Sequence, residues 1–192
     1  MKQILQKDFF QGSALEVAKD FLGKRLVHKT QKGRISGIIT DIEAYPAKID
    51  RVSHGNKKTK RTEVMYREGG YAYVYLIYGI HHQFAVVVNR KDIPEVVFIR
   101  AVKPVEGIGL MKRNFGKPVK NDKDLVKSPG NLCKSFGITI DLYGEPIPGK
   151  KLWLEDTGIQ IATDKIKSSE RVGINKKLEG SQAKYRYYVT NL

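Results

Sequence analysis

Two stretches of this chain carry residues whose types and spacing could do chemistry. The first is ITDIEAYPAKIDRVSH, residues 39–54. In a strand, Asp41, Glu43 and Tyr45 share one face, with Ile35 and Ile39 behind them, because side chains alternate with period two. A carboxylate that continues a buried face into an aromatic-lined site can act as a general base for water. His54 lies beyond the turn at Pro46 and could close over the same pocket. The second stretch is YAYVYLIYG, residues 71–79, with tyrosines at 71, 73, 75 and 78. Tyr71, Tyr73 and Tyr75 share a strand face. Tyr78 breaks the alternation just before Gly79, where the strand turns. A ladder of rings with one projecting aromatic at its end suits a flat ligand. Tyrosine also packs well across strands, so the run alone fits a purely structural role.

The charge of the chain favours the ligand reading. There are 35 Lys+Arg against 20 Asp+Glu, a net charge of +15. This excess points to a polyanion, nucleic acid before a membrane surface. A nucleobase is the flat ligand that comes attached to negative charge. The densest basic cluster is Lys57, Lys58, Lys60 and Arg61, interleaved with Thr59 and Thr62. Cations beside small hydroxyls suit phosphate contacts.

Other chemistries are disfavoured. Cys133 is the only cysteine, so a disulfide or a Cys-rich metal site within the chain is excluded. His81-His82 resembles a metal pair, but adjacent strand residues face opposite ways, so no metal or cofactor is expected. Gly69-Gly70 fits neither a P-loop nor a dinucleotide fingerprint. No apolar run is long enough to span a bilayer, and a cytoplasmic setting is the expectation.

The elements that must position these residues can be read in outline. Ser13-Ala-Leu-Glu16 has the form of a capping box. Leu15, Ala18, Phe21 and Leu22 follow at helical spacing, and Gly23 is a stop. Residues 25–29 and 35–45 read as strands joined by a turn at 30–33. Pro46 ends the second, since it cannot donate into a ladder. Residues 46–70 form a long basic loop with room for a short helix. Strands are predicted at 71–78, 84–89 and 95–102, with turn chemistry at 90–94. A helix is predicted at 105–115. Leu132, Cys133 and Phe136 fall on one side of 131–136. Residues 144–149 (GEPIPG) are a turn, and 151–155, 158–162 and 184–189 are strand-like. The expected fold is mixed α/β (α+β). It is one compact domain with a largely antiparallel curved sheet, flanking helices and a protruding β-hairpin.

Several short motifs, in order, resemble one family. They are E-A-Y at 43–45, His54, T-K-R at 59–61, Met65, and G-x-x-Y-V-Y-x-I-Y-G at 70–79. They continue with I-R-A-V-x-P at 99–104, S-P-G-x-L-C at 128–133 and R-V-G-I at 171–174. Each is weak alone, but the ordered set resembles the alkyladenine (methylpurine) DNA glycosylases over nearly the whole chain. The resemblance implies a single catalytic domain over residues 1–192, monomeric and free of metal. It implies base-excision repair of duplex DNA holding a damaged purine: 3-methyladenine, 7-methylguanine, and also hypoxanthine or etheno-adenine. On this resemblance Glu43 activates water for attack at C1′, and Arg100 stands near that water and the backbone. Tyr45, His54 and Tyr75 line the base pocket, with Ala85 at its wall. Tyr78 wedges into the minor groove, and Thr59, Lys60, Arg61 and Met65 contact DNA around the lesion. The family commonly has asparagine where this chain has Ala85, which leaves guanine discrimination open. Two rival readings remain on the residues alone: a lysine-nucleophile glycosylase/lyase, and a basic nucleic-acid-binding module that needs no Glu43.

Overall fold

A computed structural model describes residues 3–190. The chain opens with a two-residue strand, β1 (Gln3–Ile4). The capping box then forms as the sequence predicts. The Glu16 carboxylate accepts from the Ser13 N–H at 2.8 Å, and the Ser13 side chain accepts from the Glu16 N–H. These bonds satisfy donors that a helix start leaves unpaired. Helix α1 (Ala14–Val17) tightens at once into a 3₁₀ turn over Ala18–Phe21. Gly23, at φ 82°, turns the chain into the sheet.

The sheet is antiparallel throughout. It contains β2 (Arg25–Thr30), β3 (Gly33–Tyr45), β4 (Ala72–Ile77), β5 (His81–Val88) and β6 (Glu95–Glu106). Helices α2 (Ile108–Phe115) and α3 (Pro129–Phe136) follow. The last strands are β7 (Leu152–Asp156), β8 (Lys167–Ser169) and β9 (Arg186–Tyr188). The strand order is β1-β7-β2-β3-β6-β5-β4, and β9 pairs with both β3 and β8.

The unbroken apolar runs 84–88 and 96–99 make sense because both faces of this part of the sheet are covered. One face packs on the helices through Val74, Phe84, Val86, Val97 and Ile99, against Phe115, Leu132 and Phe136. The other carries a smaller cluster of Tyr73, Ala85, Val87, Val96 and Phe98, roofed by Val64 and Met65 from the long loop. That loop is held by two short 3₁₀ turns, His54–Asn56 and Glu63–Tyr66.

Three expectations need correction. Ile35, Ile39, Asp41 and Glu43 do not share a face. Between Ile39 and Ile42 the ladder carries a double irregularity: Thr40 has no partner on β6, and Arg100 has none on β3. The extra residue reverses the alternation. Ile42 and Ala44 therefore continue the main core, while Glu43 and Tyr45 turn to the opposite face. The predicted helix at 105–115 begins only at Ile108, because β6 runs on to Glu106 against β3. Gly107, at φ 79°, makes the change of direction, and a side chain there would strike the Arg34 carbonyl at 2.3 Å. Residues 158–162 form no strand. Ile159 and Ile161 instead bear on Gly23 as an irregular segment.

Candidate active site

Five neighbouring segments build the site: the end of β3, the long loop, the β4–β5 hairpin, β6 and the segment after β8. Beyond the bulge Glu43 points away from the main core, and its side chain is fully buried. Three donors hold the carboxylate. Oε1 accepts from Arg100 Nη1 at 2.9 Å and from the Val172 backbone N–H at 2.8 Å. Oε2 accepts from the Tyr45 hydroxyl at 2.8 Å. Burial raises the Glu43 pKa above the ordinary carboxylate value, and the Arg100 charge and the two other hydrogen bonds pull it back. Every bond favours the anion. The Tyr45 phenol is pushed well up, chiefly by burial and next by the Glu43 charge, so it stays a donor.

An ion-pair chain stands behind Glu43. Arg100 also approaches Asp41 at 3.7 Å, and Asp41 takes Arg186 at 2.7 and 3.0 Å. A second anchor is Arg171, whose side chain is fully buried with that of Asp50. It donates to both Asp50 oxygens at 2.5 and 2.9 Å, and to the carbonyls of Ala44 and Gly180. Its guanidinium lies 4.6 Å from the Tyr45 ring centroid. Arg171 thus fixes Tyr45 and the adjacent Val172 N–H, both ligands of Glu43. The sequence marks it only as part of a motif, because nothing in R-V-G-I shows that its partner is Asp50.

In front of Glu43 lies a cavity of about 710 Å³. Its wall includes Tyr45, His54, Tyr73, Tyr75, Ala85 and Arg100. Glu43 does not line it directly; it sits behind Tyr45, Arg100 and Val172, which do. Tyr73 and Tyr75 stack with centroids 4.8 Å apart, and His54 meets Tyr75 edge-on at 5.0 Å. Ala85 pairs with Tyr73 on one side and Phe98 on the other, a methyl on the cavity wall. Among the described residues no group of three or more His, Cys, Asp or Glu could hold a metal ion.

Arg61 occupies an unexpected place. Its guanidinium lies 5.3 Å from the Tyr75 centroid. It also bonds the Tyr73 hydroxyl at 3.3 Å and the His54 ring at 3.0 Å. A flat cation already rests on the aromatic face. His54 keeps an open edge, yet its ring sits among Tyr73, Tyr75 and Arg61. Burial of the ring, then the Arg61 charge, lowers its pKa to about 4. The folded state therefore resists protonating His54. The stability this contributes is complete above pH 6.5 and is lost as pH falls toward 4. An NMR titration should find His54 neutral at pH 6, and Arg61→Ala should raise its pKa by removing a neighbouring positive charge. No change on that substitution would assign the shift to burial alone.

The other predicted DNA contacts divide. Lys60 is exposed, and its carbonyl accepts from the Tyr143 hydroxyl. The Thr59 and Thr62 hydroxyls bond each other, and Thr62 caps the Lys57 carbonyl at 2.6 Å. They shape the basic turn rather than stand free for a phosphate. Met65 is fully buried in the smaller core cluster and reaches the cavity wall.

Tyr78 sits at the hairpin tip between Ile77 and Gly79 with φ 53°, a left-handed conformation uncommon for a bulky residue, and is 91% exposed. Leu76, Ile77 and Ile80 are exposed beside it. An apolar tip that gains nothing from the core, on a strained backbone, points to a contact outside the chain.

Comparison with known proteins agrees with this geometry. Residues 8–192 match the family described as methylpurine-DNA glycosylase. A protein of Oceanobacillus iheyensis, named "Putative 3-methyladenine DNA glycosylase", is 40% identical over 191 residues, spanning 97% of this chain and 92% of its own. Proteins bearing the same name from Natranaerobius thermophilus and Alkaliphilus oremlandii are 39% and 36% identical, each covering 96% of this chain and 94% and 95% of their own.

Proposed function

Since the chain belongs to the methylpurine-DNA glycosylase family, a group of monofunctional DNA-repair hydrolases, we propose that it extrudes an alkylated purine from duplex DNA and hydrolyses its N-glycosidic bond with a water activated by Glu43. The observation that carries this reading is the Glu43 carboxylate, held anionic by Arg100, Tyr45 and the Val172 N–H behind an aromatic cavity. Oε2 has the Tyr45 hydroxyl as its partner among the described residues, which leaves it acceptor capacity for a water delivered when Tyr45 and the cavity wall adjust to the substrate. The water oxygen bonds to C1′, the C1′–N9 bond breaks, and its electron pair leaves with the purine. The water proton passes to Glu43. The products are a free base and an abasic sugar. An anion near C1′ also stabilises the oxocarbenium character that develops there.

Substrate choice follows from the aromatic face. A purine methylated at N3 or N7 is cationic, so it departs neutral without prior protonation. It also gains cation–π attraction of about 1–2 kcal/mol over a neutral base. The Arg61 guanidinium over Tyr75 supports this, because it has the charge and flatness of such a base. On this reading Arg61 gives up its place when the lesion enters and moves toward the DNA backbone. 3-Methyladenine and 7-methylguanine are the expected substrates; hypoxanthine and etheno-adenine would need a proton on the leaving base. Tyr78 fills the gap in the stack, with Lys57, Lys58 and Lys60 flanking it as phosphate contacts. The protein acts as a monomer on double-stranded DNA.

The test is base release from methylated duplex DNA, with the freed bases identified by chromatography. Release of 3-methyladenine and 7-methylguanine is expected; a folded, DNA-binding protein that frees neither would sink the proposal. With about 5 phosphates neutralised, log K should fall against log salt with a slope of about −4.5. A slope near zero would remove the basic loop from the interface.

A further inference from the structure

One polar side chain of the cavity wall, Gln83, has had no role so far. Gln83 lies on β5, two residues before Ala85 and on the same face. It stands directly opposite Tyr75 in the β4–β5 ladder. It is 7% exposed and lines the aromatic cavity beside Ala85. On its other side it lines a second cavity of about 810 Å³, under the hairpin and against α3. Its carboxamide nitrogen lies near Gly130, in the first turn of α3. No hydrogen bond to this carboxamide occurs among the described residues, and its polar atoms are not among the fully buried ones. They open onto the two cavities, where water can satisfy them. A ligand that enters the cavity can take the place of that water with its own donors and acceptors.

We propose that Gln83 reads the Watson–Crick edge of the extruded purine and is a specificity-determining residue of this pocket. The inference rests on the glycosylase reading above and deepens it. Residues directly opposite in an antiparallel pair stand about 5 Å apart. A base stacked on the Tyr75 ring therefore presents its rim to the Gln83 side chain. At Ala85 the wall has only a methyl, so Gln83 is the polar group of β5 within reach of that rim. A carboxamide carries one donor and one acceptor group side by side. Nε2 donating to O6 while Oε1 accepts from N1–H fits 7-methylguanine. Turned by 180°, Oε1 accepts from the 6-amino group while Nε2 donates to N1, which fits 3-methyladenine. One residue thus serves both alkylated purines, and a cytosine or thymine is too short to reach it from the same stacking position.

The experiment measures both bases freed from one methylated duplex under single-turnover conditions at pH 8, for wild type, Gln83→Leu and Gln83→Glu. Thermal melting is recorded for each protein. Gln83→Leu keeps the bulk and loses both hydrogen bonds, so release of both bases should fall about 5- to 50-fold. Gln83→Glu offers two acceptors and no donor. It can still take N1–H and the 2-amino group of 7-methylguanine, but it opposes the N1 lone pair of 3-methyladenine. The ratio of released 7-methylguanine to 3-methyladenine should rise at least about fivefold. Loss of both bases by one common factor in Gln83→Glu would make Gln83 a packing residue and overturn the proposal, as would wild-type rates in Gln83→Leu. If wild type itself frees no methylated purine, the glycosylase reading fails first and takes this inference with it. If wild type is active and the ratio is unmoved, only the role of Gln83 fails.

Discussion

Glu43→Gln should lower single-turnover base release by at least about 10³-fold while leaving the affinity for methylated duplex within a few-fold of wild type. The substitution is nearly isosteric, and the site can accept it. The amide oxygen can keep the Arg100 and Val172 bonds that Oε1 now receives. The amide nitrogen then faces the Tyr45 hydroxyl, which can rotate from donor to acceptor. Arg100 retains Asp41 within 3.7 Å as a second counter-charge. What disappears is the negative charge, and with it, on the proposed mechanism, both the base for water and the stabiliser of the cationic sugar. Tyr78 and the lysines of the basic loop, the proposed DNA contacts, are untouched, so binding should survive. The pH profile provides an independent check. Burial holds the Glu43 pKa above the usual carboxylate value, so wild-type release should fall as pH drops, with its midpoint above the ordinary carboxylate range. Substantial release by a folded Glu43→Gln protein would assign the water to another group. Loss of duplex binding would show that Glu43 holds the site together rather than acting within it.

The parts of this fold that were legible in the sequence are those set by local chemistry. The capping box at Ser13 and Glu16, the stop at Gly23 and the turn before β6 each depend on residues a few positions apart. The aromatic ladder was legible because its alternation survives intact through Tyr73 and Tyr75 to the tip, where Tyr78 leaves it. Alternation failed in β3, where the irregularity at Thr40 reversed which side chains face the helices. Bulges of this kind are set by the partner strand, here by Arg100 on β6, and leave no mark in the local pattern. Glu43 could still be singled out as the candidate base, since its chemistry does not depend on which neighbours share its face. The extent of β6 was missed because Val105 and Glu106 fit a helix or a strand equally well, and pairing with β3 decided the matter. Residues 158–162 show the converse: alternating Ile159 and Ile161 look strand-like but have no partner strand. Met65, Gln83 and Arg171 needed the tertiary structure. Met65 is fully buried yet reaches the cavity wall, a placement its sequence neighbours do not show. Gln83 gains meaning only from lying opposite Tyr75, and Arg171 only from its distant partner Asp50.

That last pair should give the largest stability effect in the protein. Arg171 and Asp50 are 121 positions apart, and both side chains are fully buried. Removing one partner strands the other charge away from water, a loss of about 3–5 kcal/mol. For a chain of this size that corresponds to a fall in Tm of roughly 6–20 °C. Asp50→Ala and Arg171→Met should each show it. The close packing explains why relaxation cannot rescue them. Gly180 sits at φ 86°, and a side chain there would lie 2.5 Å from Asp50 Oδ1. The double variant Asp50→Leu/Arg171→Met removes both charges and should recover part of the stability, because a buried ion pair and an apolar pair of similar volume differ little. Activity should not return with it. Without the guanidinium against its ring, Tyr45 loses its lateral support, and the Val172 N–H is no longer set against Glu43 Oε1. A double variant that regains its melting temperature but still releases base slowly separates the two roles of Arg171: its charge offsets the buried Asp50, and its position arms Glu43. Recovery of both together would leave Arg171 a stabilising residue only.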